Sequence, residues 1–447
     1  MAVVVDQAKL VLNAFAAIFQ NNLASADLVT WKQYDGELED RNRLQIVEQV
    51  GPRFAVTQTT NGVQDLSAGV QDVVFGSEQF AVNQVFGSSM GWADFVKVRD
   101  INEARESLAI KNAAINLAER IDAYVLRAAV LASNNWVGTP GNNVGTYDSV
   151  AAAYTRLKEE GVDDGDLRAV LTYNDKQALG NFVVQSSQSY LGASEDMVTF
   201  KQGFESSVAG IPTQFSQQVP TMTTGTRTNG TVNGANQNVN YSAVSVSGSP
   251  GQYLTQTISV SGLGAAGTVF DGEVFTLGLG GTPVNAYDNR LGASLGRLQQ
   301  FRVVGPAGTQ PGALAYTADG SGNIAAMRIF PAIIVPGTGT GGDINVNNAN
   351  ATVTVAPASG GAVTWITTAS NAVRTRAILQ KQAIVVNTAD LIMPATGIGM
   401  RKSLTKIPVS VRMWRDSAFL TGDHRVRFDV ALTANVRDRR RIVRLNG

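Results

Sequence analysis

The sequence predicts an α+β body interrupted by an all-β module, and three observations carry that prediction. Residues 221–373 hold ten charged side chains in 153 positions, against 62 in the remaining 294, and Thr228–Phe270 hold none. The same segment contains 25 of the 45 glycines and short alternating runs, "YSAVSVSG", "TQTISVSG", "LQQFRVVG" and "ATVTVAP", bounded by Gly, Asn and Pro. Period-two alternation with regular turn signals is the pattern of a compact β module, and a disordered low-complexity linker is its rival. Third, "ARESLAIKNAAINLAERIDAYVLRAAVLASNNW", residues 104–136, reads as one unbroken helix.

Taken in order, "MAVVVDQAKLVLNAFAAIFQNNLAS" resembles a secretory signal at first sight, but Asp6 and Lys9 interrupt its apolar run and no basic region precedes it. It reads as an amphipathic helix with Leu12, Phe15, Ala16, Phe19 and Leu23 on one face. That face needs a partner surface, which another molecule is expected to supply. Two alternating runs follow, "LQIVEQVGPRFAVTQT" and "VVFGSEQFAVNQVFG", separated by the polar "TNGVQDLSAG". They predict a long, protruding β-hairpin over about residues 40–90, with an exposed tip near Asn61–Gly69.

The long helix opens on Asp100 and Glu103 at capping-box spacing and closes before "GTPGNN". Ile110, Ala114, Leu117, Ile121, Tyr124, Val125, Ala128 and Leu131 form its apolar stripe, with Lys111, Glu119, Asp122 and Arg127 off it. Over 101–133 it spans about 50 Å, a length better suited to a plate that tiles than to a compact enzyme, with an ordinary core helix as the alternative. Beyond it, "SVAAAYTRLKEEG" and "NDKQALGNFVVQSS" read as helices beside the strand "AVLTYN", while "QAIVVNT", "IPVSVRMW" and "RVRFDVALTANV" close the chain as strands.

Composition bounds the function. Lys plus Arg and Asp plus Glu are equal at 36 each, so no net field draws the molecule to nucleic acid or membrane. No cysteine is present, which removes disulfides and thiolate metal sites and fits synthesis in a reducing cytoplasm. No stretch reaches the roughly 20 apolar residues of a membrane helix.

Catalytic motifs are weak. "GSSMG", Gly87–Gly91, places Ser89 in a G-x-S-x-G pattern, but that elbow needs a following helix and a histidine, and the single histidine is His424 in "TGDHRVRF". "GLGAAG", Gly262–Gly267, matches a dinucleotide fingerprint yet precedes a strand, so a hairpin loop is the simpler assignment. "DDGD", Asp163–Asp166, lacks the remaining ligands of a calcium loop and reads as a solvated turn. "RDRRRIVR", Arg437–Arg444, leaves three readings open: phosphate contact, pairing with a neighbouring subunit's carboxylates, or a solvated tail. The sequence therefore predicts no enzyme, with no catalytic, cofactor-binding or metal residues and no cofactor.

The order of parts, with "DGEVFTLGLGGTPVNA" through "LQQFRVVG" and the ending "FDVALTANVRDRRRIVRLNG", resembles the major capsid proteins of tailed bacteriophages, of the Hong Kong 97-like type with an inserted β-barrel domain. The resemblance implies an N-terminal arm (1–30), a peripheral-domain strand with an E-loop hairpin (31–100), a spine helix (101–136), the first part of an axial domain (137–220), an inserted barrel (221–373) and closing axial and peripheral strands (374–447). It also implies self-assembly as pentamers and hexamers into an icosahedral shell in the virion. The implied partners are a portal protein, packaged double-stranded DNA contacted non-specifically and, because no charged scaffold-like segment precedes the arm, a separate scaffolding protein; no membrane is involved. In that type, charged loops meet across two-fold axes, but the corresponding stretch here, "TNGTVNGANQNVNYS", is uncharged. The competing readings are a glycan-binding surface or tail-fibre adhesin built on the Gly/Asn-rich module, and a hydrolase using Ser89.

Overall fold

A computed structural model of the chain describes residues 2–38, 44–51, 53–54, 73–82, 84–92, 108–163, 165–190, 207–249, 251–278, 281–339, 343–394, 397–417 and 424–447. It divides into two compact units, one made of Met1–Ile46, Ala81–Ala129 and Lys381–Arg437, the other of Val47–Phe80, Val130–Gln380 and Asp438–Gly447.

The first unit is a six-stranded sheet with helices on one face. Its order runs Thr30–Leu38, Ile384–Leu391, His424–Val436, Ser410–Ser417 and Ile398–Ser403, and Gln84–Trp92 pairs with the other edge of His424–Val436. On the long strand Val426, Phe428, Val430 and Leu432 are buried on one face, whereas on the other Arg425 and Arg427 are exposed and Asp429 and Ala431 are buried. The helix Ala2–Asn22 lies on the apolar side, with Phe15 stacked on Phe428 at 3.9 Å between ring centroids. Leu12, Phe15, Ala16, Phe19 and Leu23 are all at most 5% exposed. The sequence placed this face correctly and its partner wrongly, because the apolar stripe is covered by the chain's own sheet and is not left for a scaffold or neighbour.

The long helix is described over Leu108–Ala132. Its stripe is buried as predicted, apart from Tyr124, which is half-buried and packs 5.2 Å from the Phe86 ring. Two predictions fail. The helix does not run unbroken to Trp136 but ends at Ala132, because Asn135–Val137 enters a sheet as a parallel strand beside Val443–Leu445. Asp122 is buried, its Oδ2 and Oδ1 accepting from the Ala24 and Ser25 amides at 2.8 and 2.9 Å. It caps the short helix Ser25–Leu28, whose own N-cap residue, Ala24, has no side-chain acceptor. The Asp100–Glu103 capping box lies outside the described residues.

The second unit holds another six-stranded sheet, ordered Asn135–Val137, Ile442–Leu445, Arg376–Gln380, Leu167–Leu171, Ile211–Phe215 and Ser207–Val208. The helix Tyr147–Glu159 packs Val150, Ala153 and Leu157 against it, beside Leu167, Leu171 and Val443. A closed barrel is ordered Gly230–Val232, Gln256–Ser261, Ile324–Phe330, Gln300–Val303, Val274–Leu277 and Ala362–Trp365. Phe275 sits at its centre, 5.8 Å from the Phe301 ring and 5.1 Å from the Trp365 ring. Thr221–Thr223 pairs antiparallel with Ala372–Arg374, which brings the two ends of the charge-poor segment together.

Within that segment two predicted strands are not strands. "YSAV" forms the short helix Tyr241–Val244, with the Tyr241 amide donating to Asn347 Oδ1 at 2.8 Å at its start, and "ATVTVAP" contributes only the isolated bridge Ala286↔Val353. The uncharged "TNGTVNGANQNVNYS" begins in the barrel wall, where Val232 is buried. The predicted hairpin is present at its base as the paired strands Leu44–Val50 and Gly76–Val82, and its tip at Asn61–Gly69 lies outside the described residues.

Candidate functional site

None of the catalytic candidates assembles. Ser89 is exposed on the strand Gln84–Trp92, opposite Arg427, so it occupies a sheet position with no strand–turn–helix around it. His424 opens the next strand opposite Trp92, three register positions away. Gly262–Gly267 joins two strands of different sheets, Gln256–Ser261 and Thr268–Phe270, so it is a connection and not the hairpin loop predicted. Its Leu263 is buried in the barrel core, donating its amide to Gly322 and accepting from Thr228. Asp163 and Asp166 are exposed in the turn before Leu167–Leu171, and among the described residues no cluster of acidic or histidine side chains is arranged to hold a metal. No described helix is long and apolar enough to cross a membrane.

The basic run resolves differently from all three sequence readings. Arg439 is buried and donates to Glu78 at 3.0 Å, to the Tyr253 carbonyl at 3.0 Å and to the Gly251 carbonyl at 2.7 Å, with its guanidinium 4.9 Å from the Phe330 ring. Arg440 and Arg441 both donate to Asp438, at 3.2 and 3.1 Å, and Arg441 also reaches Gln380 at 2.8 Å. Partial burial alone raises the Asp438 carboxyl, but Arg440, Arg441 and Arg53 outweigh it and hold it at about 2. Burial raises the Glu78 carboxyl despite the attraction of Arg439.

Arg444 is fully buried and, among the described residues, meets no carboxylate within salt-bridge distance. Its guanidinium donates to the carbonyls of Leu131, Ser133 and Gly272, each at 2.7 Å, and lies 5.4 Å from the Trp136 ring. One side chain thus ties the last strand to the end of the long helix and to a turn of the barrel. A cation there also suits the carbonyl-rich end of a helix. Burial, with Arg302 beside it, brings the group down to about 9. It is still a cation at neutral pH.

Three buried ion pairs complete this framework, and sequence reasoning named none of them. Glu273 accepts from Arg227 Nε at 2.6 Å and from the Gly225 and Phe270 amides at 2.8 Å each, while the Arg227 guanidinium lies 4.1 Å from the Trp365 ring. Asp271 accepts from Arg302 Nη2 at 2.9 Å and from the Gly305 amide at 2.8 Å. Asp175 accepts from Arg376 Nε at 2.8 Å and from the Thr172 and Val144 amides at 2.8 and 2.9 Å. Burial lowers the Arg227 and Arg302 groups, and the facing carboxylates oppose that shift. A signal was present: "FDGEVF" sets two charges and "QFRVV" one inside apolar runs of a charge-poor segment, and a charge in such a place is stable only when paired. All of these groups brace the fold.

Compared with known proteins, residues 7–442 match the family described as P22 coat protein, gene protein 5. The chain belongs to the P22 coat protein family. It is therefore a structural major capsid protein of a bacteriophage, a constituent of the virion. No curated protein matches the coat protein's sequence. Solved structures similar to it include one from Mycobacterium phage Che8, at 9% identity over 92% of this chain and 94% of that chain with a TM-score of 0.37. The asymmetric unit of the bacteriophage PhiM1 mature capsid is similar at 10% identity over 94% and 85%, with a TM-score of 0.40. The capsid of Ralstonia phage GP4 is similar at 6% identity over 92% and 84%, with a TM-score of 0.38. The assignment rests on the family and not on these distant likenesses.

Proposed function

We propose that the coat protein assembles as pentamers and hexamers into an icosahedral shell that encloses the double-stranded DNA of a tailed phage. The observation that carries this reading is the family match over 7–442, on a chain that combines a long helix and sheet in one unit with a second α/β unit and a closed barrel. In Hong Kong 97-like terms, the first unit corresponds to the peripheral domain with its arm (1–30) and spine helix, here ending at Ala132. The sheet of 137–220 with the strands Arg376–Gln380 and Ile442–Leu445 corresponds to the axial domain, and 221–373 to the inserted barrel domain. The strands Leu44–Val50 and Gly76–Val82 form the base of the E-loop.

A scaffolding protein, a portal and the packaged DNA complete the proposed set of partners, with synthesis in the bacterial cytoplasm. Because the arm's apolar stripe is buried on its own sheet, a scaffold engages other surfaces. Each contact in such a shell is modest, and repetition around a closed lattice makes the whole strong. Electron microscopy of the purified chain, with and without co-expressed scaffold, tests the reading. Shells of uniform size are expected, and a chain that stays monomeric at high concentration under every assembly condition overturns it.

A further inference from the structure

The strand Gln84–Trp92 lies at the rim of the first unit's sheet. Its register with His424–Val436 runs unbroken from His424↔Trp92 to Leu432↔Gln84, without a bulge. Among the described residues the edge Val85–Met90 has no ladder partner on its other side. Natural sheets blunt such an edge with lysine, proline, a bulge or a short strand. "VFGSSM" has none of these protections: no charge, no proline and a straight ladder of nine residues. Among the described residues Val85–Met90 is thus an unprotected edge, and on a subunit that assembles such an edge is a pairing surface.

The sequence of the strand is also self-complementary. If two copies meet antiparallel about Ser88, Phe86 faces Met90 of the second copy, Gly87 faces Ser89, and Val85 faces Gly91. Phe86, Ser88 and Met90 lie on the helix-covered side, opposite Val430, Phe428 and Val426, so the aromatic and thioether groups meet on one face. Sulfur–aromatic contact is favourable. On the other face the exposed Val85 fills the space left by glycine. Gly87 itself has a reason to be glycine, since a Cβ there falls 2.4 Å from the Asp429 carboxylate, which lies folded across it.

We propose that Gln84–Trp92 pairs with the same strand of a second copy of this chain, antiparallel and centred on Ser88, as a two-fold contact between subunits. Such a contact is isologous, each copy offering the same patch, and main-chain hydrogen bonds carry it. The inference rests on the coat reading and goes beyond it by naming one contact.

The chain has no cysteine, so a single introduced thiol reports cleanly. In this register the two Cα atoms of residue 88 stand about 4.5–5.5 Å apart, within the span of a disulfide, whereas residues 85 of the two copies lie about 20 Å apart. Assembled shells of Ser88→Cys, mildly oxidised, are expected to give a disulfide-linked dimer on a non-reducing gel, and shells of Val85→Cys are expected to give none. As a second arm, Ser89→Lys places a charge on this edge at an exposed position; loss of shells with an unchanged subunit melting temperature supports the pairing. Shells of Ser88→Cys without the dimer, equal crosslinking at 85, or normal shells from Ser89→Lys each overturn it. Absence of shells from the unsubstituted chain instead overturns the coat reading itself.

Discussion

In the barrel, Arg227, Asp271, Glu273 and Arg302 are all at most 6% exposed, whereas in the first unit's sheet the Arg427 side chain is 48% exposed and Arg425 and Arg401 stand on the surface. The region poorest in charge thus turns a large part of it inward, whereas the richer sheet sets arginines such as Arg425 and Arg427 outward around one buried carboxylate, Asp429. Burial of a charge requires a partner and hydrogen bonds to the remaining lone pairs, and the barrel supplies both: each carboxylate takes one arginine and at least one backbone amide. Low charge density in a sequence therefore says little about whether its core is apolar. The few charges that persist in such a segment are the ones to examine first.

The largest expected effect breaks the comparison on the barrel side. Glu273→Gln leaves the Arg227 cation buried with a weaker partner, and Glu273→Ala leaves it with none, a loss of about 3–5 kcal/mol. The double substitution Arg227→Met with Glu273→Leu removes both charges and is expected to recover most of that stability. Denaturant titration of the three variants measures it. Single substitutions no worse than the double would show that the pair does not hold the barrel.

On the other side, the first unit depends on apolar packing. Leu117 is 4% exposed in the middle of the long helix, and Leu117→Ala is expected to lose about 2–5 kcal/mol, seen as a lower melting temperature and temperature-sensitive shells. Phe15→Asp, which would have probed a free arm, now buries a carboxylate against Phe428 and is expected to impair folding itself. Normal folding with failed assembly would restore the free-arm reading.

These two residues show how far the sequence carried. The 3.6-residue period in 108–132 and in 2–22 identified which side chains are buried, because periodicity reports that a face is covered. It does not report what covers it, and so the arm's partner was misassigned. Asp122 was placed on the solvent side by the same period, since its burial depends on the amides of Ala24 and Ser25 roughly a hundred residues earlier. The barrel's existence was legible in alternation and turns, but "YSAV" and "ATVTVAP" alternate equally well without forming ladder strands. The arginine run at 437–444 was legible only as charge, because its partners at 78, 131, 251, 253 and 272 are distant in sequence.

A smaller effect sharpens the role of that run. The Asp438 carboxyl, held at about 2, lies below its unfolded value of about 3.9, so it binds fewer protons folded than unfolded in between. Its stabilisation is complete above about pH 4 and is lost as pH falls through about 2, amounting to roughly 2 kcal/mol. Asp438→Asn is expected to destabilise the protein at neutral pH and to flatten the acid limb between pH 4 and 2. An unchanged acid limb would move the carboxylate out of the arginine cluster.

The smallest expected effect lies in the barrel segment too, and it isolates burial as the deciding variable. Arg290 has the same chemistry as Arg227 and Arg302, and it also has a carboxylate nearby, Asp288 at 3.9 Å. Its side chain is 65% exposed, however, so water already solvates the guanidinium and little is gained from the pair. Arg290→Ala is expected to change stability by less than about 0.5 kcal/mol. The effect should be similar in low and high salt, since a screened surface pair contributes little in either. If Arg290→Ala proved as damaging as Glu273→Ala in the same titration, exposure would not be what separates the barrel's structural charges from its surface ones, and the contrast with the first unit's sheet would lose its physical basis.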